Sequence, residues 1–306
     1  MNDAIATTTN TSDILLRFLI EASGVRGVLV RLADTWTAVR DRTDYPPAVA
    51  ACLGETLAAT ALMTGHAKID GRLSVQLRGT GALRSLFAEC TRDGTLRGLA
   101  HYSVPLPDPL GPRAFGEGSL LAITIENVAI GGRDGTRYQG LVGLDSNTMA
   151  EAFEGYFMQS EQLPTRMLLA AGGETASGLM LQKLPGQATD DADGWLRAMA
   201  IFETLGRDEL LATPSEELLF RLFHEDGVRI LDSRALRFGC SCSRERVLAM
   251  FHGLGREEAL AAADQHEPPV AEVSCEFCGN CYRLPREELL ELFRQPPAMP
   301  APETLQ

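Results

Sequence analysis

The hydrophobic pattern changes period along the chain. Between Arg72 and Arg78, Leu73, Val75 and Leu77 alternate with Arg72, Ser74, Gln76 and Arg78, a period of two that predicts a half-buried strand. LRSLFAEC, LRGLAHY, SLLAITIE, RYQGLVGL and RMLLA read as further strands, with Asp93-Gly94 and Asp134-Gly135 as turn signals between some of them. Together they predict a largely antiparallel sheet. DILLRFLIEASGVRGVLVRL fits a helix or a strand at its start, and GVLVRL at its end is strand-like.

Helical patterns fill the gaps. From Asp44-Tyr45-Pro46-Pro47 to Met63 the chain is apolar on nearly every face, which predicts a buried helix with proline near its first turn. In NTMAEAFEGYFMQS, Met149, Phe153, Tyr156 and Phe157 share one stripe, the pattern of core packing. Proline, glycine and a cluster of acids interrupt the pattern at LPGQATDDADG, residues 184–194, where the main domain boundary is expected. Two helices follow. Trp195, Met199, Phe202 and Leu205 keep three- and four-residue spacing, and Thr213-Pro214-Ser215-Glu216 reads as a capping-box start, with Pro214 at the first helical position, before the apolar face Leu219, Leu222, Phe223. These faces suit packing on the preceding domain; exposure after release is the functional alternative. The tail after Phe293, RQPPAMPAPETLQ, is Pro-rich without period and is expected to be disordered.

The expected organisation is an α+β N-terminal domain with a largely antiparallel sheet and a buried helix (1–186), a helical linker (187–235), a small zinc-binding module (236–293) and a disordered tail (294–306). With 306 residues and 45% hydrophobic content, the chain can bury a substantial core. A net charge of −13 argues against nucleic acid or an anionic membrane as main partner, since both demand excess Lys and Arg. MNDAIATTTNTSD lacks the basic and apolar regions of a secretory signal, and no run reads as long and apolar enough to span a bilayer. A reducing cytoplasm is the expected compartment.

Seven cysteines matter more by position than by number. Cys52 in AVAACLGETLAATALM and Cys90 in LRSLFAEC read as small buried hydrophobes. The other five fall between Cys240 and Cys281. Local clustering in a chain without a secretory signal suits a metal site or a redox device rather than a disulfide framework. Cys240-Ser-Cys242 and Cys275-Glu-Phe-Cys278 supply four soft ligands, the set a tetrahedral Zn²⁺ site requires. The intervening SRERVLAMFHGL and GREEALAAAD read as short helices. So small a module cannot be held by burial alone, whereas structural zinc contributes about 10–16 kcal/mol. The sulfurs, near Arg244 and Arg246, are electron-rich and open to oxidation.

Cys281 is the odd one: a spare ligand, a nucleophile that resolves a sulfenic acid, or a tolerated exposed thiol. The last is favoured because four ligands are already present. His252 and His266 are alternative ligands, expected instead on a helix surface or in a loop. A thiol-disulfide oxidoreductase would place CxxC in a βαβ context without a CxC partner. A nucleic-acid-binding zinc module would be basic, yet residues 235–294 hold seven Arg, no Lys and ten acids.

CSCSRERV at 240–247 and CEFCGNCY at 275–282, with DYPPAV at 44–49, RYQGLVGL at 137–144, YFMQSEQLPTR at 156–166 and LMLQKLPG at 179–186, resemble the bacterial 33 kDa chaperonin family, the redox-regulated heat-shock holdases. The resemblance covers nearly the whole chain and implies that Cys240, Cys242, Cys275 and Cys278 hold one zinc ion in a reduced, inactive form. It further implies that oxidants join Cys240 to Cys242 and Cys275 to Cys278, that zinc is then lost, and that the module unfolds and the linker helices undock. The exposed apolar surface would bind unfolding clients without ATP, the active form tending to dimerise. No catalytic residue is expected, and Cys281 lies outside the family's four-cysteine pattern.

Overall fold

The computed structural model of the chain describes residues 12–67, 69–128, 135–184 and 193–294. Their contacts divide the chain into two units, Met1–Gly239 and Cys240–Gln306. The first begins with strands β1 (Ile14–Ile20) and β2 (Val25–Leu32), then helices α1 (Asp34–Arg40) and α2 (Pro47–His66) and strands β3 (Gly71–Arg78), β4 (Leu83–Thr91) and β5 (Thr95–Tyr102). A 3₁₀ turn (Pro112–Phe115) leads to β6 (Leu120–Asn127) and β7 (Thr136–Gly143), and α3 (Met149–Tyr156) runs into a π-helical turn (Phe157–Glu161). Strands β8 (Thr165–Gly172) and β9 (Thr175–Lys183), helices α4 (Gly194–Phe202), α5 (Arg207–Ala212) and α6 (Ser215–Phe223), and strands β10 (Val228–Ala235) and β11 (Arg237–Phe238) complete it.

The strands form two sheets, ordered β10-β1-β2-β9-β8 and β11-β5-β4-β3-β6-β7, where the alternation predicted one. Every pairing within them is antiparallel except β11 beside β5. Alternation marks a strand but not its partner, so the count of sheets was not legible from period alone. The ambiguous DILLRFLIEASGVRGVLVRL is the β1–β2 hairpin, paired from Ile14↔Arg31 to Ile20↔Val25. Both its faces are buried. Leu15, Val28, Val30 and Leu32 join the core around α2, while Leu16, Phe18, Ile20, Val25 and Leu29 join a second core. A strand buried on both sides loses its alternation, which is why a helix fitted the sequence equally well.

Helix α2 contacts strands of both sheets and is buried from Val49 to Gly65 apart from Ala51. In length and composition this 20-residue helix would suffice to cross a membrane, contrary to the expectation that no run does, but its surroundings are the two sheets. Its Thr56, Thr60 and Thr64 hydroxyls donate to the carbonyls of Cys52, Thr56 and Thr60 at 2.7–2.8 Å, so no hydroxyl is buried unpaired. The helix approaches β9 so closely that a Cβ at Gly178 would lie 2.7 Å from Leu62 Cδ1.

The second core lies on the other face of the β1–β2–β9 sheet. Ala198, Met199, Phe202, Leu205, Leu210, Leu218, Leu219 and Phe223 from the α4–α6 segment cover Leu16, Phe18, Ile20, Leu179 and Leu181. Charged groups fix this layer: Arg207 on α5 pairs with Glu55 of α2, Arg31 donates to the Leu211 carbonyl at 2.6 Å, and Arg197 binds buried Asp226. The capping box expected at Thr213 is absent. Thr213 instead closes α5, its N–H bonded to Glu209 O at 2.9 Å, and Pro214 precedes α6 with no side-chain cap. A full capping box occurs at α3, between Thr148 and Glu151. The boundary expected at 184–194 falls largely outside the described residues, as do Asp134 of the second turn signal and the tail after Arg294.

The second unit is small. Helices α7 (Arg244–Leu254) and α8 (Arg256–Ala263), the hairpin of β12 (Val270–Ser274) and β13 (Cys281–Pro285), and α9 (Arg286–Leu292) surround Val247, Phe251, Ala259, Ala263, Ala271, Leu284 and Leu289.

Candidate metal centre

Four of the five clustered cysteines converge. Cys240 and Cys242 lie in the extended segment before α7, whose N-terminus is capped by the Ser243 hydroxyl accepting from Arg246 N at 3.3 Å. Cys275 follows β12, and Cys278 sits in the tight turn that leads to β13. That turn is closed by Cys275 N–H to Asn280 O at 2.9 Å and Gly279 N–H to Cys275 O at 2.8 Å. Gly279 takes φ +73°, a left-handed conformation that a side chain would strain.

All four Sγ atoms lie within 4.8 Å of one another. Two close separations cross between the segments, 3.6 Å from Cys240 to Cys275 and 3.3 Å from Cys242 to Cys278. Four sulfurs at about 2.3 Å from a tetrahedral ion would stand about 3.8 Å apart, so the cluster is within a small adjustment of a four-sulfur shell. The donor set fits a soft or borderline divalent ion, and the four cysteines can hold one.

The sulfurs are not equivalent. The Tyr282 hydroxyl donates to Cys242 Sγ at 3.1 Å, and this bond leads the influences that pull the Cys242 thiol down to about 7. Burial pushes Cys278 up to about 12 and also raises Cys240. A bound dication would favour the thiolate at each position. Tyr282 was missed in the sequence because only the hairpin register, which sets Val273 opposite Tyr282, brings its side chain towards the sulfurs.

Cys281 is exposed and outside the four. His252 stacks on Phe293 with ring centroids 5.7 Å apart, and neither it nor His266 belongs to the cluster. Arg244 is engaged by Glu288 at 3.0 Å, and Arg246 donates to Ser241 Oγ at 2.7 Å. Cys52 and Cys90 are buried, and burial holds both thiols up at about 12, as inert packing groups.

Comparison with known proteins decides the family. The profile described as Hsp33 protein matches residues 13–285. The chain is 38% identical over 284 residues to the 33 kDa chaperonin of Chromobacterium violaceum, covering 93% of this chain and 95% of that one. It is 40% identical over 292 residues to the 33 kDa chaperonin of Hahella chejuensis, covering 93% and 98%. The chain belongs to the Hsp33 family. Its fold is also that of the crystal structure of the 33 kDa chaperonin from Thermotoga maritima, with a TM-score of 0.77, 22% identity and coverage of 92% and 98%. Within this Hsp33 chain the profile match ends at Pro285, beyond the last of the four clustered cysteines. The α+β architecture with antiparallel sheets is therefore shared with that structure, and this chain carries a C-terminal cysteine cluster on it.

Proposed function

We propose that this protein is a redox-regulated, ATP-independent holdase. Reduced and holding one zinc ion on Cys240, Cys242, Cys275 and Cys278, it is inactive. Oxidation to Cys240–Cys242 and Cys275–Cys278 disulfides ends metal binding, unfolds the C-terminal unit and exposes apolar surface. That surface binds unfolding client proteins and prevents their aggregation under oxidative and heat stress.

The observation that carries this reading is four sulfurs within 4.8 Å of one another in a unit whose buried core is seven residues, three of them alanine. So little apolar surface cannot offset the chain entropy of an independent unit. Structural zinc contributes about 10–16 kcal/mol when bound, which makes folding conditional on four intact thiolates. Any chemistry that removes the thiolates removes the fold.

A cysteine thiolate attacks a peroxide oxygen, the O–O bond breaks, hydroxide leaves and the sulfur becomes a sulfenic acid. A second thiolate then attacks that sulfur and displaces the remaining hydroxide, so two sulfurs together supply the two electrons that reduce one peroxide. In the reduced geometry close sulfur pairs also cross between the segments, Cys240 with Cys275 and Cys242 with Cys278. What favours pairing within CSC and CEFC is loop closure: the cross pairs span 35 and 36 residues, a costlier ring to keep closed once the metal no longer joins the segments.

The apolar face of β1, β2 and β9 beneath α4–α6 is a surface of the right character for clients. Its exposure also accounts for self-association of the oxidised form into a dimer. The acidic C-terminal module speaks against nucleic acid as a partner, clustered free thiols suit a reducing bacterial cytoplasm, and nothing in the proposed cycle calls for enzymatic turnover. The test is zinc content, far-UV circular dichroism and aggregation of a heat-denatured client, before and after peroxide at elevated temperature. One equivalent of zinc lost together with helix, and client protection gained, supports the switch. Zinc retained under oxidant, or lost without protection, refutes it.

A further inference from the structure

The Tyr282 hydroxyl donates a hydrogen bond to Cys242, a member of the four-cysteine cluster. Tyr282 lies on β13 opposite Val273, and strand alternation puts it on the same side as Leu284, which is fully buried. Its ring packs against the core of the unit, and its hydroxyl extends past that core to Cys242 Sγ at 3.1 Å. The donor is thus mounted on a paired strand and aimed at one sulfur of four.

We propose that Tyr282 is a positioning residue of the metal centre, its hydroxyl holding charge on Cys242 Sγ and thereby setting how firmly the reduced unit retains its ion and how slowly Cys242 is oxidised. This rests on the four-cysteine metal reading above. Four thiolates around one divalent ion carry a net charge of −2, and a hydrogen bond to one of them spreads that charge. The same bond draws electron density from the sulfur lone pair, which makes it a poorer nucleophile towards peroxide. Cys278 is guarded differently, by burial at 7% exposure. One sulfur of each segment thus has a distinguishing feature, Cys242 a hydroxyl donor and Cys278 burial.

The experiment uses the full-length reduced chain and its Tyr282→Phe variant, which keeps the ring and removes only the hydroxyl. Zinc affinity is measured by competition with a chromophoric chelator, zinc release is followed under peroxide, and the cobalt-substituted proteins are examined by absorption spectroscopy. Losing such a supporting hydrogen bond weakens metal affinity by roughly 10- to 100-fold. Tyr282→Phe is expected to fall in that range, to release zinc faster under peroxide, and to shift the sulfur-to-cobalt charge-transfer band to lower energy without changing its tetrahedral d–d bands.

An affinity and a charge-transfer energy equal to wild type overturn the proposal and leave the four-sulfur site standing. Weakened affinity with an unmoved charge-transfer band assigns Tyr282 a packing role only, and also overturns it. A wild-type cobalt spectrum without four thiolates overturns the metal reading itself. Should Tyr282→Phe lose helix before any oxidant is added, fluorinated tyrosine incorporated into the wild-type chain replaces it. Its more acidic hydroxyl is a stronger donor, so the band must move to higher energy, and a band that stays in place refutes the proposal.

Discussion

Replacing Phe223 by alanine should activate the protein without oxidant. Phe223 at the end of α6 is fully buried and stacks on Phe18 of β1, ring centroids 6.2 Å apart and planes at 27°. It anchors the layer that covers the outer face of the β1–β2–β9 sheet. Truncating a buried Phe to Ala costs about 3–5 kcal/mol. At about 1.4 kcal/mol per decade, the undocked population of α4–α6 would rise by roughly two to three and a half decades if the whole cost falls on docking. The assay is client aggregation under reducing conditions with zinc retained, alongside hydrogen exchange of the α4–α6 amides. Phe153→Ala is the control: Phe153 is equally buried but belongs to the core around α2, so a comparable loss of stability leaves the outer face covered. Faster exchange in α4–α6 and client protection are expected for Phe223→Ala alone. Undocked helices without protection, or equal protection from both variants, would refute the assignment of this face to clients.

Three other outcomes follow from the same geometry. Cys278→Ser removes a buried member of the sulfur cluster and, since metal binding is worth about as much as a whole domain's stability, should abolish zinc binding and melt α7–α9 under reducing conditions, seen as lost ellipticity. Cys281→Ser, at an exposed thiol outside the cluster, should leave zinc stoichiometry and activation kinetics unchanged, and altered kinetics would give that thiol a role. Burial raises the pKa of Glu55 and the Arg207 charge only partly offsets it. A carboxyl whose folded pKa is raised contributes stability below its unfolded pKa and loses it as pH rises through the folded value. Glu55→Gln should therefore remove a decline in urea midpoint on going from acid towards neutral pH, and an identical decline in both proteins would show that Arg207 compensates Glu55 fully.

What was legible in the sequence depended on how local the signal was. Leu73, Val75 and Leu77 announced β3, and an all-round apolar stretch announced α2, because each pattern is complete within one element. The CSC and CEFC spacings likewise marked four residues that the fold brings together from 35 and 36 positions apart. Patterns failed where two layers claim one strand. In ILLRFLI, Leu15 faces α2 while Leu16, Phe18 and Ile20 face α4–α6, so the period of two is masked by burial on both sides. Capping was misplaced for a related reason: Thr213 ends α5 and its backbone N–H is already taken by Glu209 O, information that resides in the preceding helix.

Tyr282 shows the sharper limit. Nothing in CEFCGNCY distinguishes its aromatic ring from any other strand residue; its hydroxyl becomes a sulfur partner only when β13 pairs with β12 in a register that seats Tyr282 opposite Val273 and the CSC segment arrives alongside. The hairpin and the cysteine cluster are therefore mutually dependent. The turn from Cys275 to Asn280 fixes the register, the register delivers the hydroxyl, and the hydroxyl bonds Cys242 Sγ, which lies 3.3 Å from Cys278 of that turn. A unit arranged in this way should not lose its metal and keep its hairpin. In the proposed cycle, oxidation of either cysteine pair should abolish Tyr282 ordering and zinc binding in one cooperative step, and tyrosine fluorescence that trails zinc release by a separate phase would show that the two are uncoupled.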